Sequence, residues 1–181
     1  MSKQYKDNEL LHIATIGKSV GLKGDMKFHI HCDFPEQFKK GATFLVNKKD
    51  MITLEDVNHE RGLIRIVGIS NPEDAKKLTN AHLFTTHEDT KKTCHLEDGQ
   101  FFWFDIIDCK VYENNILLGV VQEVERIAIS DYLNIKTSEE LLKKDLATSF
   151  LIPYHKPFIV KTDIDKQIIE VSGGLDILEA S

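Results

Sequence analysis

Apolar and polar residues alternate along much of the chain with a period of two. Between positions 26 and 32, Met26, Phe28, Ile30 and Cys32 alternate with Lys27, His29 and His31, the spacing of a strand with one face buried. Other strand-type runs fall at 10–16, 42–46, 51–54 and 63–69, then at 111–112, 117–129, 132–135, 158–162 and 168–171. Asn114-Asn115 separates two of these runs; asparagine tolerates positive φ, so the pair predicts a tight hairpin turn. Asp165-Lys166 is expected to turn the chain in the same way. Helical signals are fewer. Asn71-Pro72-Glu73-Asp74 places a capping side chain, a proline at the first helical position and two acids in the first turn, which predicts a helix over 72–80. A second is expected over 138–146, capped by Ser138, with Leu141, Leu142 and Leu146 on one face.

Residues 87–99 are polar and charged and lie between two strand-rich blocks. They predict two small domains, 1–88 and 99–181, joined by a linker at 89–98. Domains of this size bury only about two thirds of their unfolded surface. For short antiparallel strands the economical fold is a small barrel, since closure removes exposed edges.

Composition refines this picture more than it changes it. The chain is 41% hydrophobic and 29% charged, a globular balance. The formal net charge is −6, which weighs against a protein that grips nucleic acid mainly by neutralising phosphates. Residues 1–90 balance 13 basic against 13 acidic side chains, so the whole excess lies in 91–181, with 10 against 16. No apolar run reaches the length of a membrane span, and the opening Met1-Ser-Lys-Gln-Tyr-Lys leads into no apolar signal core. Cys32, Cys94 and Cys109 are odd in number and widely spaced. They fit a reducing cytosol better than a disulfide framework or a cysteine zinc site.

Catalytic signals are sparse. Gly17-Lys18-Ser19 resembles the end of a phosphate-binding loop, but the glycine required five residues earlier is His12. His29, His31 and Asp33 share one face of a strand and offer a zinc-type ligand set. The plainer reading is the polar side of an amphipathic strand, with Lys27 opposing a metal. Gly21-Leu22-Lys23-Gly24 is a turn between strands with Lys18, Lys23 and Lys27 around it. It is either a contact for RNA phosphate or a solvated turn. In Phe101-Phe102-Trp103-Phe104-Asp105 a strand would set Phe101, Trp103 and Asp105 on one side and Phe102 and Phe104 on the other. Burying both sets is difficult in a small barrel, so one set is expected to form an interaction surface, unless a neighbouring element covers it.

Taken in order, these landmarks resemble the RimM family of bacterial ribosome maturation factors. The resemblance rests on Ile16-Gly17-Lys18-Ser19-Val20-Gly21-Leu22-Lys23-Gly24-Asp25-Met26-Lys27 and on Glu73-Asp74-Ala75-Lys76-Lys77-Leu78. It continues in Gly99-Gln100-Phe101-Phe102-Trp103-Phe104-Asp105-Ile106-Ile107, then in Leu118-Gly119-Val120-Val121 and Leu151-Ile152-Pro153. It spans about residues 10–175. It implies a mainly β fold of two barrels, an N-terminal translation-factor-type barrel and a C-terminal PRC barrel. It also implies a non-enzymatic, cytoplasmic assembly factor without cofactor or metal. Such a factor would bind the immature 30S subunit through ribosomal small-subunit protein nineteen and assist the 16S rRNA head, as a monomer away from membranes. By the same resemblance Phe101, Phe102 and Trp103 would bind the ribosomal protein. Lys18, Gly21, Lys23, Gly24 and Lys27 are the candidate rRNA contacts. The chain departs from the family where tyrosines are common at 101 and 102, where glycine is usual at 108, and where 127–130 usually holds a glycine turn. Two other readings stay open: a metal-assisted hydrolase on His29, His31 and Asp33, and a direct RNA-binding module.

Overall fold

Strand ends follow the turn chemistry closely. In the computed structural model, which describes residues 9–181, the first block holds six strands. These are β1 (Leu10–Val20), β2 (Asp25–Ile30), β3 (Thr43–Val46), β4 (Asp50–Asn58), β5 (Leu63–Ile66) and β6 (His82–Thr86). They close into a barrel in the order β1-β2-β5-β4-β3-β6, with β6 pairing antiparallel to β1. Met26 and Phe28 point inward and are buried, while Lys27 and His29 face out, as their alternation requires. The core also gathers Ile13, Ile16, Phe38, Phe44, Ile64 and Leu83. The segment Met1-Ser-Lys-Gln-Tyr-Lys lies outside the described residues.

β1 runs four residues further than its apolar core suggests. Gly17, Lys18 and Ser19 are therefore strand residues beside an irregularity between Ile16 and Ser19, not a loop opening a helix, so the phosphate-loop geometry is absent. Helix α1 (Pro72–Lys77) is capped as its sequence indicates, with Asn71 Oδ1 accepting from Asp74 N at 2.9 Å. It stops before 80, where Asn80 takes φ 64° and His82 begins β6.

Two expectations are corrected here. The segment beginning at residue 87 is not all extended linker: His87–Thr93 forms α2, capped by Thr86, whose Oγ1 accepts from Asp89 N at 3.0 Å. Buried Thr90 and Cys94 tie it to the first unit, and the chain divides into compact units at Met1–His95 and Leu96–Ser181. The aromatic run is not a strand: Trp103–Ile106 forms a single helical turn, α3, with Phe102 at its N-cap position. Burial of Ile106 at 0% exposure fixes that turn against the core and overrides the β-propensity of the aromatics.

The second unit is a six-stranded sheet ordered β10-β9-β8-β7-β12-β11. Its strands are β7 (Lys110–Glu113), β8 (Ile116–Ile127), β9 (Ser130–Thr137), β10 (Ser149–Pro153), β11 (Ile159–Asp163) and β12 (Ile168–Val171). Asn114 and Asn115 make the β7–β8 turn with φ 48° and 66°. Asp163 Oδ1 receives Lys166 N in the four-residue turn that joins β11 to β12. Asp108 sits at φ 69° and Ala128 at φ 56°, a conformation that glycine adopts most cheaply. The second expected helix shortens to α4 (Glu139–Leu142), where Ser138 holds the N-cap position without a side-chain cap bond. A last helix, α5 (Gly174–Glu179), lays Leu178 into the core.

Candidate functional site

The β1–β2 loop owes its glycines to geometry. Gly21 and Gly24 have φ 69° and 77°, and a Cβ on Gly24 would come within 2.6 Å of the Ile69 carbonyl oxygen. Leu22, Lys23 and Lys18 are exposed around them. Lys27 is exposed but engaged, its ammonium donating to the Arg61 carbonyl at 2.6 Å. The loop thus offers two free-standing cations, Lys18 and Lys23, rather than a cluster of three.

The three aromatics singled out in the second unit have unequal exposure. Phe102 is buried at 8% exposure and stacks on Phe104 with ring centroids 5.0 Å apart and planes 7° from parallel. Phe101 and Trp103 are half-buried and pack against the core with part of each ring facing out. The Arg126 guanidinium lies 5.0 Å from the centre of the Trp103 ring, a cation–π contact that orients the indole. Arg126 is itself fixed by Asp131, with Nε to Oδ1 at 2.7 Å. Beyond Arg126 in the chain, Ile127 at the end of β8 and Ile129 in the β8–β9 turn are 47% and 98% exposed. The arrangement suits docking of an apolar or aromatic partner surface; it contains no nucleophile and base in bonding distance.

The histidines assemble differently from the sequence expectation. His29, His31 and Asp33 are not drawn together, and among the described residues no three histidine, cysteine or carboxylate groups are placed to hold a metal ion. The metal-assisted hydrolase therefore has no ligand set here. Instead His31 leans across β1, its Nε2 2.9 Å from Thr15 Oγ1. His12 Nε2 lies 3.2 Å from the same hydroxyl and 3.0 Å from His82 Nδ1. His12 and His82 are 70 residues apart, and only the closing of β6 onto β1 brings them together. A bulge between His12 and Ala14 turns His12 to the same outer face as Thr15, which simple alternation hides. His12 titrates below the ordinary histidine range, because its ring edge is partly buried and because charged His82 and His31 would repel it. Burial pushes the thiols of Cys32, Cys94 and Cys109 up, so none is a ready thiolate nucleophile.

Charge is divided sharply between the units. Residues 1–95 carry 15 basic and 13 acidic side chains, and residues 96–181 carry 8 and 16. The first unit is therefore slightly positive and the second strongly negative.

Comparison with known proteins gives one consistent result. Residues 11–90 match the family description RimM N-terminal domain, and residues 103–177 match RimM PRC barrel domain. A ribosome maturation factor RimM of Sulfurimonas denitrificans is 58% identical over 181 residues, covering 100% of both chains. Its counterpart in a Sulfurovum species is 46% identical over 96% of this chain and 97% of that one. A crystal structure of a 16S ribosomal RNA processing protein RimM from Pseudomonas aeruginosa aligns over 93% of this chain and 99% of that one, at 18% identity and a TM-score of 0.41.

Proposed function

The chain belongs to the RimM family of ribosome maturation factors, and from that membership we propose that it acts on the immature 30S subunit by binding rather than by catalysis. In this reading it holds a basic protein of the subunit head, ribosomal small-subunit protein nineteen, together with adjacent 16S rRNA. Binding the maturation-competent arrangement more tightly than its alternatives shifts the population toward it. The observation that carries the reading is the full-length relationship to maturation factors, and the charge division supports it. Sixteen acidic against eight basic side chains in 96–181 complement a basic protein, raising encounter rate and selecting orientation.

Exposure supports the choice of contact residues. Phe101 and Trp103, half-buried with exposed ring area, supply aromatic anchors of the kind that dominate interface energy. Phe102 shapes the turn from beneath and acts on the contact indirectly. Lys18 and Lys23 beside the Gly21–Gly24 turn supply phosphate contacts, and Lys27 adds a more constrained one. The chain is expected to work as a monomer without cofactor.

Co-sedimentation tests the reading. The chain is expected to pellet with immature 30S particles and far less with mature 30S; equal recovery with both, or with neither, rejects it. Phe101→Ala with Trp103→Ala should lower the recovered fraction at least about tenfold while leaving the circular dichroism spectrum unchanged, since even one hot-spot truncation costs about 2 kcal/mol or more.

A further inference from the structure

Strands β6, β1 and β2 are neighbours in the barrel, and their outward face is unusual for an acidic protein. The three strands contain one carboxylate, Asp25, which is neutralised by Arg65 at 2.7 Å. Against it stand Lys18, Lys27, His12, His29 and His82, with His31 one residue past β2. Phe84, also on β6, lies beneath the Lys48 ammonium, 5.3 Å from its ring centre, and beside His12.

The hydrogen-bonding logic of the cluster depends on its protons. Ala14 O can only accept, and His12 Nε2 lies 3.0 Å from it, so this nitrogen carries hydrogen. His82 Nδ1, 3.0 Å from the same His12 nitrogen, is then unprotonated and accepts. A proton added to His82 Nδ1 would set N–H against N–H at that distance, and the rings must part. Thr15 Oγ1 has two lone pairs and contacts three imidazoles. A protonated cluster therefore has more donors than acceptors. What restores the balance is a ligand that brings acceptors and negative charge together, as a phosphodiester does.

We propose that the outer face of β6, β1 and β2 is a contact for the RNA phosphate backbone, tightened in acid through the histidine cluster gathered around Thr15. It rests on the reading that this chain works on an RNA-rich particle, and it moves the main phosphate contact from the Gly21–Gly24 loop to the sheet beside it. His12 is held below its ordinary range first by burial and then by the repulsion of His82 and His31; a phosphate between the rings relieves the repulsion, so binding draws protons in and acid strengthens binding. The surrounding charges leave this sign intact. Lys48 and Lys49 occupy the β3–β4 turn, Asp50 opens β4, and Asp33 lies two residues past His31. On α2, Glu88 is paired with Lys92 and Asp89 is bonded to Thr86. On α1, Asp74 is paired with Lys77, beside Glu73 and Lys76. On the β5 side, Arg65 holds Asp25.

The test is fluorescence anisotropy of a labelled mixed-sequence RNA hairpin with the full chain, at pH 8, 7 and 6 and constant ionic strength. Affinity should rise about tenfold or more from pH 8 to pH 6, as expected when at least one histidine is drawn through its titration by the bound phosphate. The triple variant His12→Gln, His31→Gln, His82→Gln should flatten that rise, while His155→Gln, which lies in the second unit and outside the cluster, should keep it. Because the triple variant also removes hydrogen bonds that link β6, β1 and the residue after β2, Thr15→Val and circular dichroism at each pH accompany it. Thr15→Val should change the pH profile with the fold intact. A pH-independent affinity, or an unchanged profile in the folded triple variant, overturns the proposal. So does equally tight, equally pH-dependent binding of poly-glutamate, which would assign the face to an acidic protein. Flat RNA affinity with intact co-sedimentation rejects this contact alone, whereas pH-dependent RNA affinity without co-sedimentation rejects the assembly reading.

Discussion

A methyl group added at Gly119 would lie 2.0 Å from the Lys136 carbonyl oxygen and 2.8 Å from Ile135. Both belong to β9, which is hydrogen-bonded to β8 at that position, and the nearer obstacle is a backbone carbonyl that cannot swing away. Gly119→Ala is expected to cost about 3 kcal/mol, the upper end for overpacking. Urea unfolding followed by the fluorescence of Trp103, the one tryptophan, measures it directly; a loss under about 1 kcal/mol would mean the strands separate more easily than the geometry says. His12 gives a pH prediction of definite sign. Its folded titration lies below the ordinary value of 6.5, so the unfolded chain binds the proton more readily. Stability of the first unit is then fully present above about 6.5 and declines as pH falls through the folded value. Melting followed by circular dichroism should show that decline, lessened in His12→Gln. The loop glycines and exposed lysines were legible from sequence because a turn is local. The His12–Thr15–His82 contact was not, since it depends on a bulge and on closure between residues 70 apart.

Elements were readable wherever alternation and local caps agreed. The β7–β8 hairpin and the Asn71 cap are both carried by neighbouring residues, and both stand where the sequence puts them. Helix α2 carried an equally local signal, Thr86 three residues before Asp89 with Lys91 and Lys92 in the last turn, but its polarity made it read as linker. In α3 the local preference is extended and the fold imposes a helical turn, because Ile106 must reach the core. The C-terminal helix shows an element held from a distance. Glu113, at the end of β7, accepts from the backbone N–H groups of Gly173 and Leu175, the latter at 2.7 Å. A carboxylate at the start of a helix satisfies free donors and opposes the positive end of its dipole. Glu113→Ala is therefore expected to lose about 1–2 kcal/mol, and Glu113→Gln less. Hydrogen exchange should show the loss first in α5; unchanged protection there would remove the capping role.

At the scale of the molecule, charge and architecture divide at the same place. Under the proposed function, the negative second unit would steer association with a basic head protein electrostatically. Raising salt from about 50 to about 300 mM should therefore slow association on the order of tenfold while changing dissociation much less. Stopped-flow mixing with the purified ribosomal protein separates the two rates, and a salt-independent association rate would remove the steering. The order of the second sheet bears on when this protein becomes competent. β12, the last strand of its unit in chain order, lies between β11 and β7 and pairs in parallel with the first strand of its unit. The first barrel needs nothing beyond β6 to close, so it can form while the rest of the chain is still being translated. The second unit has no such head start: its sheet stays divided until Ile168–Val171 is free to insert. The acidic unit is therefore completed by a single late insertion: a copy in which Ile168–Val171 is withheld would leave β11 with no strand to pair with and the sheet open at β7.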